Sequence, residues 1–298
     1  MNLDWDLAIT LVTACIQSQH AFHDGPGDDR AMCYPTCPHP DDPTDLSPAG
    51  YERIDCFTGV TGGNYPVECF GLIYRSTTET DSYAFSFRGS KSRLDWLHDF
   101  DFAVKHPFVP FSPNAQPEVP QGAAVAQGFW KIYASSYTGT QSTTLSMQHQ
   151  LFNLLAKYQP KKLYITGHSL GGALCELFTL DLALSTYRKI QYCNYNYGCP
   201  MVGNKAFADF YDSEDTPTLR VQNVDDIVPC NPSPVFDYKQ VGQVYVIGFH
   251  GNRLLPEDKV LDNHMAQNYK PVLVCARNSL PNRVCDNPAV PVPAPTMT

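Results

Sequence analysis

Positive charge is scarce in this chain, and the scarcity excludes several kinds of partner. Lysine and arginine number 21 against 30 acidic residues, a formal net charge of −9 over 298 residues. Nucleic acid asks for a basic patch and an anionic membrane for a polybasic one, so neither fits this balance. Long apolar runs are also missing. No stretch approaches the roughly 18 uncharged residues that span a bilayer, so no transmembrane segment is expected. The apolar stretch Leu7 to Ile16 lacks the positive flank of a signal peptide: Asp4 and Asp6 precede it, and the first basic residue is Arg30. Leu3, Leu7, Leu11 and Cys15 fall one turn apart, with Ala8 and Val12 beside them, which predicts a first domain helix. Internal repeats are absent, and no second domain is legible.

What is present suits one large α/β domain. With 43% hydrophobic residues the chain can bury a sizeable core. The domain is expected over residues 1–280, with a Cys- and Pro-rich excursion at about 20–69 and a Pro-rich tail at 281–298. Eleven cysteines are many for a reduced compartment. Disulfides among Cys33, Cys37, Cys56 and Cys69, and between Cys275 and Cys285, are the preferred reading, in a secreted chain numbered without its leader. An odd count leaves at least one thiol, and Cys175 is the expected one, buried as a small apolar residue. Zinc on His20, His23, Cys33, Cys37 and His39 is the rival reading. Those spacings fit no standard finger, so neither a metal nor a cofactor is expected.

The most informative segment runs from Lys162 to Gly172. Leu163, Tyr164 and Ile165 form a short strand-favouring run, and Ala173, Leu174, Leu177, Phe178 and Leu182 recur at helical spacing. Between them, Gly167-His168-Ser169-Leu170-Gly171 is a G-x-S-x-G turn, the nucleophile elbow of the α/β-hydrolase fold. A β-carbon at Gly167 or Gly171 would collide with the neighbouring backbone, and Ser169 is expected in a strained, exposed position.

A serine hydroxyl needs a base and an orienting carboxylate. In this fold the chain order is Ser, then acid, then His, which leaves only His250 and His264 as bases. Leu219 to Val224 reads as a strand that ends at Asp225 and Asp226, where α/β active sites assemble. Only one of these neighbouring acids is expected to point at the site. His250 ends the apolar run Val244 to Phe249, whereas His264 is expected in a polar loop; loops favour the second.

Four stretches in order carry a resemblance. They are Phe87-Arg88-Gly89-Ser90 with Ser92 to Phe102, Gly167 to Gly172, Tyr197 to Asn204 (G-x-P-x-V-G-N), and Val224 to Pro229. Together they resemble the class 3 lipases, the fungal-type triacylglycerol lipase family, over roughly residues 70 to 270. The resemblance implies Ser169 as nucleophile, Asp226 as acid and His264 as base. It also implies an oxyanion hole from the amides of Leu170 and Ser90, with help from the Ser90 hydroxyl. The family usually has a Tyr or Trp nearer its histidine than Tyr269 lies to His264, so His250 stays open. His168 reads as packing beneath the elbow.

Substrate class follows from a segment with two readings. Ser92, Leu94, Trp96 and Leu97 form either a short amphipathic lid or an ordinary core-packed helix. The Pro107–Pro120 loop, with Phe108, Val109 and Phe111, is expected to add an apolar acyl wall. A lid favours acylglycerols at a lipid–water interface. Without it, a carboxylesterase, a feruloyl-type esterase or a phospholipase A1 is implied. Readings of another class are a catalytically silent binding module and an acyltransferase.

Overall fold

The computed structural model describes residues 3–22, 48–61, 67–90, 102–138, 143–250 and 256–278, with backbone alone over 256–259. Asp4 caps the first helix, α1 (Trp5–His20), by accepting from the amide of Leu7 at 3.1 Å. Strands β1 (Tyr51–Val60), β2 (Val67–Ser76) and β3 (Ser82–Phe87) then pair antiparallel in turn. Helices α2 (Gln127–Ala134) and α3 (Met147–Tyr158) lead to strand β4 (Lys162–His168) and helix α4 (Leu170–Ala183). After these come β5 (Gln191–Tyr197), α5 (Lys205–Ser213), β6 (Thr218–Asn223) and β7 (Gln243–Ile247). Helices α6 (Pro256–His264) and α7 (Ala266–Asn278) end the described chain.

The seven strands lie in the sheet in chain order, and β3 to β7 run parallel. A strand order that never reverses, with right-handed crossovers, puts the connecting helices on one face. There Phe129 of α2, Leu151 and Leu155 of α3, Leu177 of α4 and Phe207 of α5 share a core with Phe85, Phe87 and Ile165 of the sheet. The opposite face would be bare without the end helices. It is covered by α1 through Leu11, Val12 and Ile16, and by α7 through Tyr269 and Leu273, packed on Leu72, Tyr74 and Tyr197. The predicted first helix is therefore half of one face of the domain.

Helix α4 runs between the layers and is buried along its whole length, so it carries no polar face. Its amphipathic neighbours have ordinary caps: Ser146 accepts from His149 at the start of α3, and Asn204 from Phe207 at the start of α5. Phe108 is buried against Trp130 and Phe207, and Phe111 stacks on Phe152, so the loop after Pro107 packs these rings on the core, whereas its Val109 is exposed. Cys56 keeps its thiol and packs with the apolar side chains on the α1 face, whereas Cys69 and Cys275 are disulfide-bonded. Cys175 is a buried thiol, as expected. Cys33, Cys37, Cys285, His23 and His39 lie outside the described residues.

Candidate active site

The turn from β4 into α4 is as tight as its glycines require. A β-carbon on Gly167 would lie 2.3 Å from the carbonyl oxygen of Gly171, and one on Gly171 would lie 2.4 Å from that of Phe87. Ser169 occupies the N-cap of α4 with φ 57° and ψ −125°, a left-handed conformation that costs a side-chain-bearing residue of order 1–3 kcal/mol. An N-cap serine ordinarily turns its hydroxyl onto the helix amides. Ser169 makes no such capping bond. Its amide donates to the carbonyl of Tyr197 at 2.9 Å, which fixes the elbow against the end of β5.

The next residue after Tyr197 lies beneath Asp226 and His264. Gly198 has φ +55°, and a β-carbon there would lie 2.8 Å from Oδ2 of Asp226 and 3.0 Å from Nδ1 of His264. Those two side chains meet above it: His264 Nδ1 is 2.8 Å from Asp226 Oδ2, with both side chains almost wholly buried. The remaining valences of the carboxylate are also used. Oδ1 accepts from the amide of Val228 at 2.9 Å, and Oδ2 accepts the hydroxyl of Tyr269 at 2.9 Å. A carboxylate so surrounded is oriented from three directions. His264 is the last residue of α6, where a loop was expected; helical structure is interrupted at Met265 alone before α7 begins.

The sequence model for lipase (class 3) matches residues 84–236. The chain belongs to the class 3 lipase family. A phospholipase A(1) of Arabidopsis thaliana, chloroplastic, is 30% identical over 162 residues, which is 53% of this chain and 35% of that protein. A lipase of Rhizomucor miehei is 33% identical over 181 residues, 59% of this chain and 44% of its own length. The chain thus spans less than half the length of either relative. A solved structure described as a triacylglycerol lipase whose catalytic centre is a serine protease triad aligns with TM-score 0.53 and 27% identity. That alignment covers 81% of this chain and 78% of the other. The architecture is the α/β-hydrolase fold, with its mostly parallel sheet flanked by helices.

In this class 3 family member the second histidine pairs elsewhere. His250 Nδ1 contacts Oδ2 of Asp225, and the histidine side chain is 61% exposed. Adjacent aspartates therefore hold different histidines, one pair at the surface and one in the interior. His168 packs its ring 4.5 Å from that of His264 and donates Nε2–H to the carbonyl oxygen of His264 at 2.5 Å. Burial, and then the neighbouring His264, hold its imidazole well below the usual histidine range. A neutral His168 puts no competing positive charge beside His264.

Leu170 opens α4, where the first amides have no intrahelical acceptor. Ser90 follows Gly89, whose α-carbon faces the elbow: a β-carbon there would lie 3.2 Å from the carbonyl oxygen of His168. Leu170 is thus part of the turn, and Gly89, the residue before Ser90, packs against it. Ser92, Leu94, Trp96 and Leu97 lie outside the described residues. The described part of that segment, Phe102, packs edge-on against Phe129. No group of three His, Cys, Asp or Glu side chains suited to a metal occurs among the described residues. Sequence reasoning used Tyr269 only as a family marker and missed its bond to Asp226. The one local signal was its short distance after His264.

Proposed function

We propose that this protein hydrolyses lipid esters, with Ser169 as nucleophile, His264 as base and Asp226 as orienting acid. The observation that carries the reading is the buried 2.8 Å contact of His264 Nδ1 with Asp226 Oδ2, beside an elbow whose serine does not cap its own helix. With Nδ1–H given to Asp226, the imidazole lone pair lies on Nε2, which takes the hydroxyl proton as Ser169 attacks the ester carbonyl. The imidazolium then hands that proton to the departing alcohol, and water releases the acyl group by the same path. The amides of Leu170 and Ser90 receive the developing oxyanion, where one donor is worth about 2.7–4 kcal/mol.

Triacylglycerol is the first substrate reading, supported by the relative named a lipase. The sn-1 ester of a phospholipid is the second, supported by the relative named a phospholipase A(1). The test is hydrolysis of emulsified triglyceride, of phosphatidylcholine vesicles and of a chain-length series of nitrophenyl esters by the purified protein. A fluorophosphonate is added to count reactive serines. Labelling of Ser169 with turnover of either lipid supports the reading. Turnover of short soluble esters alone makes the protein a carboxylesterase. Labelling without turnover in water, but with transfer to an added alcohol, makes it an acyltransferase, and no labelling makes it a silent binding module.

The lid belongs to the same proposal. If residues 92–102 cover Ser169 in water, the rate on triglyceride rises steeply once substrate exceeds its solubility, and Trp96→Ser blunts that rise. Secretion is supported by the disulfide-bonded Cys69 and Cys275, since such bonds persist in oxidising compartments.

A further inference from the structure

The side chain of Arg88 is almost wholly buried at the end of β3, and each arm of its guanidinium has a different acceptor. Nε donates to the carbonyl of Cys69 at 2.6 Å, Nη2 to Glu68 Oε2 at 2.5 Å, and Nη1 to the carbonyl of Gly89 at 2.8 Å. The guanidinium carbon lies 4.1 Å from the ring centroid of Phe22 and 4.2 Å from that of Phe70. Its backbone amide donates to Phe70 at 2.9 Å, and its carbonyl would lie 2.7 Å from a β-carbon on Gly171. The whole residue is thus locked to β2 and to the chain after α1, and its backbone is wedged against the elbow.

The bond to Gly89 reaches beyond Gly89. The carbonyl of Gly89 and the N–H of Ser90 belong to one planar trans peptide and point in opposite directions. Holding the oxygen fixes the direction of the N–H. A charged donor on the oxygen also polarises the unit and strengthens that N–H as a donor. We propose that Arg88 is a positioning residue for the oxyanion hole: its guanidinium clamps the Gly89–Ser90 peptide so that the Ser90 amide faces the transition-state oxygen. This rests on the ester-hydrolase reading above. Glu68 keeps the buried cation neutralised, and Phe22 and Phe70 hold its plane.

The test compares Arg88→Lys with wild type on a soluble nitrophenyl ester and measures Ki for a trifluoromethyl ketone. The hemiketal of that inhibitor places its oxyanion where the transition state does. An ammonium cannot serve three acceptors in one plane, so kcat falls about ten- to a hundredfold while KM stays within about twofold. Ki rises by the same factor as kcat/KM falls. A merely structural role would lower the fraction of active enzyme and leave Ki unchanged, and that result overturns the proposal. Should Arg88→Lys not fold, Arg88→Met with Glu68→Gln leaves no buried ion unpaired and still lacks the clamp; the same rise in Ki is expected, and an unchanged Ki again overturns it. Fluorophosphonate labelling of wild type at Ser169 runs in parallel. If wild type is neither labelled nor active, the hydrolase reading fails and takes the clamp with it. If wild type is labelled and active but Arg88→Lys matches it, only the clamp fails.

Discussion

The hydroxyl of Tyr269 donates to Oδ2 of Asp226 at 2.9 Å, on the same oxygen that faces Nδ1 of His264. The phenol is held well above its usual pKa, by burial first and then by the charge of Asp226, so it stays a donor. It also accepts from the amide of Asn223 at 3.1 Å, which ties α7 to the end of β6. Tyr269→Phe leaves a buried N–H without its acceptor and should cost about 1–3 kcal/mol of stability by denaturant titration. Ester turnover should fall by roughly tenfold, because a carboxylate held from two sides in place of three steers the imidazole less well.

The two His–Asp pairs separate by mutation. His264→Ala should reduce turnover by several orders of magnitude, and Asp226→Asn by about 10⁴, through the wrong imidazole tautomer. His250→Ala and Asp225→Asn remove an exposed pair and should change turnover less than twofold and stability by at most about 1 kcal/mol. Steady-state kinetics on one soluble ester decides it; equal losses from both pairs would remove His264 from its proposed role.

Gly198→Ala is expected to be more harmful than its one added carbon suggests. The new methyl would meet Asp226 Oδ2 at 2.8 Å and His264 Nδ1 at 3.0 Å, and the residue would sit at φ +55°. The protein should fold with reduced stability and lose at least about a hundredfold in kcat, because a shift of 1 Å at reacting groups costs that much. A variant with wild-type kcat would show that the His264–Asp226 contact is not needed for turnover.

Stability should also fall as pH rises, for a reason unrelated to the site. Glu176 is wholly buried in α4 and pushed up from 4.5 to about 8, by burial first and against the partial relief of Arg220. Its folded pKa lies above the unfolded one, so its contribution is complete below about pH 4.5 and is lost as pH rises through about 8. Asp181, pushed up to about 6 by burial, acts in the same direction from about pH 3.8. Glu176→Gln should melt like wild type at pH 4 and progressively above it from pH 5 to 8, by at most about 1.4 kcal/mol per pH unit. Parallel melting curves at every pH would mean the group does not titrate in that range.

The elbow was legible because all of its physics is local. A strand run, two glycines around a serine and a helix run lie within about twenty residues, and propensity and sterics act over that distance. The same holds for α1, whose spacing declared a helix. What α1 covers could not be read, since the bare face exists only because five parallel strands follow one another without reversal. The loop expected at His264 is a helix end for a related reason: the polar Asp262 and Asn263 suit a loop by propensity, and the packing that buries Asp262 in α6 is not local.

The turn that carries Ser169 is written in the sequence, and so is a short set of aspartates and histidines after it from which the proposed triad is drawn. Only the tertiary structure decided how the set divides. Asp225 and Asp226 differ by one position, and no propensity tells which of two neighbouring side chains turns inward at the end of β6. That choice comes from Gly198, Val228, His264 and Tyr269, which surround one carboxylate from three separate segments. Contacts between distant segments form only when the sheet has brought the ends of β5 and β6 together beside α6 and α7, and that is a property of packing, which no local stretch of chain contains.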